Sequence, residues 1–261
     1  MRLLLVSCLL MFVSASVQAR LMEEEVNYSS GATQLKGYIA YDDSFRGKRP
    51  AVLVVHEWWG HNEYARQRAR QLAQLGYVAM ALDMYGNGKQ ARHPEDAQKF
   101  SSEISSNIAL AKQRFLAAMG QLQGLKRVDA TKIAAIGYCF GGGVVLQMAR
   151  EGVELKGVAS FHGSLSTQHP AAPGAVKAKI LVAHGGEDPF VGMDKLMAFI
   201  DEMNKAGASY KVVVYSGAKH SFTNPDASKY GKQFNLPLEY NPRADEDSWR
   251  EMQLFLKDVF K

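Results

Sequence analysis

Beyond the first twenty residues, short apolar runs alternate with stretches of helical period along the whole chain. Ala51 to Val55 (AVLVV) is a continuous, β-branched-rich run, the pattern of a strand buried on both faces. Tyr77–Leu82, Lys132–Tyr138, Gly157–Phe161, Lys179–Ala183 and Tyr210–Tyr215 predict further strands. Leu35–Tyr41 alternates instead and predicts an edge strand paired with Val26–Ser29. Asn62–Leu75 predicts a helix with Asn62 at the N-cap, Gly76 at the stop, and Ala65, Ala69, Leu72 and Ala73 on one face. Pro94–Leu122 predicts one long helix opened by proline and closed at Gly124. Helices are also expected at Gly142–Arg150, Asp194–Lys205 and Asp245–Phe260, the last carrying Trp249, Met252, Leu256 and Val259 on one stripe. This β–α alternation predicts an α/β fold, a mostly parallel sheet with helices on both faces. No linker or internal repeat divides it, so residues 20–261 are expected to form a single domain. Thr223–Arg243 lacks clear periodicity and holds Pro225, Pro237 and Pro242; loops of that length are usually functional or mobile.

Residues 1–19 carry the pattern of a cleaved signal peptide. Arg2 is the positive start, Leu3–Val13 the apolar core, and Val17-Gln18-Ala19 a small-x-Ala cleavage site. The apolar core is too short to span a bilayer, and Leu9–Val13 continue past Cys8 where a lipoprotein signal would end. Cleavage near Ala19 implies export to the periplasm or the medium. It also removes Arg2 and Cys8, which lowers the net charge from +5 to +4 and leaves Cys139 as the single cysteine. One thiol cannot close an internal disulfide, so in an oxidising compartment it is either buried and inert or reactive. The basic residues are dispersed, and no stripe or patch suggests a nucleic-acid partner. Nothing in the chain predicts membrane insertion, and the expected state is a monomer or small homo-oligomer.

The local sequence around that thiol carries chemistry. Gly137-Tyr138-Cys139-Phe140-Gly141 lies between a predicted strand and a glycine-rich helix start, the pattern of a nucleophile elbow with cysteine in place of serine. A turn this sharp strains the nucleophile's backbone and leaves no room for side chains two residues to either side. The following helix aims its N–H groups at the sulfur and favours thiolate, and the Phe140 N–H becomes one oxyanion donor. Asp188 and His220 each follow a predicted strand, so nucleophile, acid and base occur in the chain order of α/β-hydrolases. Asp188 is preferred to its neighbour Glu187 by its position before Pro189, with Glu187 expected to face solvent. All three fall at C-terminal strand ends, where open α/β sheets build their sites. His56-Glu57-Trp58-Trp59-Gly60 follows AVLVV and is where a second oxyanion N–H, that of Trp58, is expected.

With HEWWG, GYCFGG, HGGEDPF and KHSF in this order, the chain resembles the dienelactone hydrolase family over essentially all of its mature length. The resemblance implies the α/β-hydrolase fold without a large lid domain, no cofactor, and a small ester or lactone as substrate. It implies that Glu57 contacts the resting thiol and helps to activate it. It also implies that Ser221 helps bind a substrate carboxylate, with Tyr85 and Trp59 near the substrate. One position departs from the family. After Asp83-Met84-Tyr85 the family carries a carboxylate-binding arginine, whereas this chain continues Gly86-Asn87-Gly88-Lys89, and a lysine lacks the bidentate fork.

Other patterns carry less. His56 and His61 are five apart with Gly60 between them, which does not match the i, i+4 histidine pair of a zinc helix, and no metal site is expected. Gly86-Asn87-Gly88-Lys89 lacks the spacing and hydroxyl of a phosphate loop. His162, His169 and His184 are read as structural. The expectation is a carboxylic ester hydrolase in which Cys139, His220 and Asp188 work through an acyl-cysteine. The alternatives are a broader carboxylesterase or thioesterase on neutral esters, and a non-catalytic ligand-binding or redox-sensing protein.

Overall fold

A computed structural model describes residues 20–261; the expected leader, with Cys8, lies outside the described residues. Eight strands form one sheet in the order β1-β2-β4-β3-β5-β6-β7-β8. The first two, β1 (Leu21–Ser30) and β2 (Thr33–Asp42), pair antiparallel from end to end, and β2 joins the rest antiparallel through β4 (Val78–Leu82). From β4 onward every pairing is parallel: β3 (Arg49–Val55), β5 (Val128–Tyr138), β6 (Gly157–Phe161), β7 (Lys179–Gly185) and β8 (Tyr210–Tyr215).

The apolar run of β3 supplies both faces of the sheet at once, as period-two geometry requires. Ala51, Leu53 and Val55 enter the core under α2 (Pro94–Ser105), α3 (Ile108–Gln123), α4 (Phe140–Arg150) and α5 (Met193–Ala206). Val52 and Val54 enter the opposite core, closed by α1 (Glu63–Gln74) and α7 (Pro242–Val259). Burying both faces under helices is what makes parallel strands near-continuous in hydrophobicity. Among the described residues no helix is long and apolar enough to cross a membrane.

Several features differ from expectation. β2, expected at the edge, lies between β1 and β4, and the starts of β1, β5 and α4 come earlier than Val26, Lys132 and Gly142. Three helical boundaries have a local cause. The long helix from Pro94 is two helices, because the Asn107 side chain accepts the Leu110 N–H at 3.0 Å and caps a new start in non-helical backbone. The aperiodic stretch contains α6 (Ala227–Phe234), too short for a helical period to show, closed by Asn235 in the left-handed region. The last helix begins at Pro242, with Asn241 as the cap accepting the Ala244 N–H at 3.0 Å. Asn62 does stand at the N-cap of α1, in extended backbone, but its side chain makes no capping bond.

Candidate active site

The turn from β5 into α4 holds Cys139 at φ 52° and ψ −115°, a left-handed conformation that costs a non-glycine residue about 1–3 kcal/mol. The flanking glycines make it possible. A Cβ on Gly137 would fall on the carbonyl of Gly141, and one on Gly141 would fall on the carbonyls of Val55 and His56. The thiol is free and half-buried.

His220 lies beyond β8, with Nε2 3.1 Å from the Cys139 sulfur and Nδ1 2.8 Å from Asp188 Oδ2. Asp188 stands on the loop after β7, where its Oδ1 also accepts the N–H groups of Phe190 (2.9 Å) and Val191 (3.2 Å). Those bonds fix the carboxylate's orientation, so one oxygen is left for the imidazole. Burial alone would push the imidazole down, but the charge of the sulfur beside it and the Asp188 carboxylate outweigh that and hold it up at about 10. Asp188 is buried and its neighbour Glu187 exposed, as their order before Pro189 predicts. Phe190, exposed, stands edge-on to the His220 ring at 5.1 Å.

Glu57 is placed differently from expectation. Its carboxyl is buried, but Oε1 accepts from Ser221 Oγ at 2.9 Å and Oε2 from Asn224 Nδ2 at 2.6 Å, while the hydrogen bond of the sulfur goes to His220. Burial pushes this carboxyl up, and the two donors pull it part of the way back. The same bond removes Ser221 from the surface: it is 4% exposed and its hydroxyl serves Glu57 rather than open space. Tyr85 and Trp59 are also buried. The Tyr85 hydroxyl donates to the Trp58 carbonyl at 3.0 Å, and its ring packs on His56 and Phe140. Trp59 stacks among Trp58, Tyr230 and Phe234, the last two delivered by α6, so its ring is packing rather than cleft wall. Trp58 is half-buried and Phe190 exposed, so both of these aromatics remain accessible.

Among the described residues the N–H groups of Trp58 and Phe140 have no hydrogen-bond acceptor. His56 orients the first of them. Its Nε2 accepts the Met84 N–H at 3.3 Å, so the proton sits on Nδ1 and is donated to the Glu57 carbonyl at 2.6 Å. In a trans peptide the next N–H then points the other way. His162, read from the sequence as structural, is in contact with the site. It follows β6, its ring meets that of His220 at 5.3 Å, and its Nδ1 accepts the Cys139 N–H at 3.1 Å. Thr223 and Asn224 are further partners within the stretch that lacked periodicity. His162 had one available signal, its position at a C-terminal strand end beside two other such residues.

The model of the dienelactone hydrolase family matches residues 35–260. In structure the chain is similar to a dienelactone hydrolase-like promiscuous phosphotriesterase, P91, from metagenomic libraries: 34% identity, 92% of this chain and 99% of that one covered, TM-score 0.87. It shares its fold with a dienelactone hydrolase of Anabaena variabilis at 23% identity, 83% and 95% coverage and TM-score 0.61. In sequence it is 27% identical to protein usf of Aquifex pyrophilus, over 91% of this chain and 99% of that one. An elbow cysteine paired with a carboxylate-held histidine, on this sheet order and within that match, places the chain in the dienelactone hydrolase family, as a hydrolase of the α/β-hydrolase superfamily.

Proposed function

We propose that this hydrolase cleaves an ester or lactone bond through an acyl-cysteine intermediate. The observation that carries the reading is the unbroken chain Cys139 Sγ–His220–Asp188, with contacts of 3.1 and 2.8 Å. Cys139 attacks the carbonyl carbon as a thiolate, and the carbonyl oxygen, now anionic, is held by the N–H groups of Phe140 and Trp58. His220, protonated at Nε2, gives that proton to the leaving alkoxide as the C–O bond breaks. Neutral His220 then takes a proton from water, whose oxygen attacks the thioester. The thiolate departs, the carboxylic acid leaves, and the proton gained by His220 restores the starting pair. Asp188 holds the imidazole with Nε2 toward the sulfur throughout.

The substrate is expected to be a small molecule, and export after cleavage near Ala19 would place the reaction outside the cytoplasm. A neutral ester or thioester is favoured over a carboxylated lactone by one observation: the Ser221 hydroxyl is committed to Glu57. The test is Cys139→Ala with a small aryl ester, together with iodoacetamide on the wild type. Hydrolysis should vanish in the variant, and one residue should be labelled as wild-type activity is lost. Full activity in Cys139→Ala would overturn the reading. Stoichiometric oxidation of the thiol with no turnover on any ester would favour a redox-sensing protein instead.

A further inference from the structure

We propose that His162 is a positioning residue of this site, setting the distance between the Cys139 sulfur and His220 by tying the nucleophile's peptide to the segment that follows the base. The inference rests on Cys139 and His220 as the reacting pair.

The His162 side chain reaches back across the C-terminal edge of the sheet. The Cys139 N–H is shared between the Phe161 carbonyl (3.0 Å) and His162 Nδ1 (3.1 Å). Because Nδ1 accepts, the ring proton sits on Nε2 and is donated to Thr223 Oγ1 at 2.7 Å. Thr223 is three residues beyond His220, and its hydroxyl also meets Tyr64 OH at 2.6 Å. Its carbonyl accepts from Arg68 Nη2 at 2.7 Å, and Arg68 pairs with Asp245 on α7. One imidazole therefore brackets the strained cysteine on one side and a segment anchored to α1 and α7 on the other. Its flat faces are fixed as well, edge-on to His220 and to Phe222, each at 5.3 Å.

The bracket works only with a neutral ring. A protonated Nδ1 would lose its bond to the Cys139 N–H and set a second cation against His220. Burial excludes that form first, and the charges of His220 and Arg68 add to the same effect. His162 accepts this role in left-handed backbone of its own, at φ 40°, while its N–H donates to the Ala183 carbonyl at 2.8 Å. Both strained residues, Cys139 and His162, are thus locked by hydrogen bonds to neighbouring strand ends. Strain at non-glycine residues persists only where surrounding contacts over-determine it.

The experiment compares full-length His162→Leu, His162→Asn and Thr223→Val with the wild type. Asparagine keeps an acceptor near the Nδ1 position and tolerates positive φ; leucine keeps neither. Valine at 223 removes the hydroxyl without disturbing the backbone. Two readouts are taken: kcat and KM on a small aryl ester, and the pH profile of iodoacetamide alkylation at Cys139. His162→Leu should lower kcat about tenfold to a hundredfold with KM nearly unchanged, and should displace the alkylation profile. His162→Asn should recover most of that loss, and Thr223→Val should lose about two- to tenfold. If His162→Leu does not fold, Thr223→Val decides. Wild-type kcat and alkylation profile in the folded variants would overturn the proposal, as would His162→Asn being as impaired as His162→Leu. Activity persisting in Cys139→Ala would instead defeat the reading of the reaction, and the alkylation profile would still judge His162.

Discussion

Ser221 Oγ donates to Glu57 Oε1 at 2.9 Å, joining the residue after His220 to a buried carboxyl on the loop that follows β3. Asn224 holds the second oxygen at 2.6 Å, and its own Oδ1 is pinned by the Asp226 N–H at 2.9 Å. Asn224 therefore cannot turn round, and when Glu57 is protonated its proton belongs on Oε1, facing Ser221.

A stability effect of pH follows from that carboxyl. Burial raises its folded pKa above the ordinary 4.5. As pH climbs from the ordinary value to the raised one, the unfolded chain releases a proton that the folded chain keeps, so stability falls across that window. Glu57→Gln removes the titration. The stability of wild type minus that of Glu57→Gln should decline as pH rises above 4.5, by at most about 1.4 kcal/mol per pH unit. Paired denaturation curves measure it, and a difference that does not change with pH would contradict it.

Substrate preference follows from the same bond. While Glu57 is ionised and accepts its hydroxyl, Ser221 offers no donor to a substrate carboxylate, and Gly86-Asn87-Gly88-Lys89 supplies no arginine fork. Neutral aryl esters should turn over at least as well, by kcat/KM, as carboxylated lactones of similar size. A preference of about tenfold or more for the anionic lactones would show that Ser221 is released on binding.

The ionisation of His220 depends on its sulfur partner. Its folded value of about 10 lies above the ordinary 6.5, so its contribution to stability is complete below 6.5 and lost as pH rises through about 10. In Cys139→Ala the sulfur's upward pull is gone while burial still pushes down. The ring resonances of His220, followed by NMR, should stay protonated through neutral pH in the wild type and titrate lower in the variant. Equal titration curves would contradict the sulfur's part in raising the imidazole.

Buried Arg68 pairs with half-buried Asp245 beneath the Thr223 segment. Removing Arg68 leaves the half-buried Asp245 carboxylate uncompensated, and burial already raises Asp245 even with Arg68 present. Arg68→Ala should cost about 3–5 kcal/mol by urea denaturation, and the double variant with Asp245→Ala should recover part of it. A loss below about 1 kcal/mol would mean that water or a neighbour replaces the guanidinium.

Elements whose signal is local were legible. The continuous run AVLVV and the need for Gly137, whose missing Cβ leaves room for the Gly141 carbonyl, depend on backbone geometry a few residues away. Leu35–Tyr41 reads as an edge strand, but β2 lies inside the sheet between β1 and β4 and Gly37–Ala40 are all buried, because β1 covers the edge. The break at Asn107 was hidden because helical period continues on both sides of it, and only the cap reveals it. The eight residues of α6 were too few to show a period, although Tyr230 and Phe234 bury Trp59.

By itself the sequence determined the α/β architecture, the parallel sheet and the placing of Cys139, Asp188 and His220 after three strands, because hydrophobic period and turn chemistry are short-range properties. Only the tertiary structure decided what those residues touch. Glu57 meets Ser221 across 164 positions of chain, and His162 meets Thr223 across 61. Hydrogen bonds act over about 3 Å, and the folding of the sheet decides which residues distant in the chain come that close.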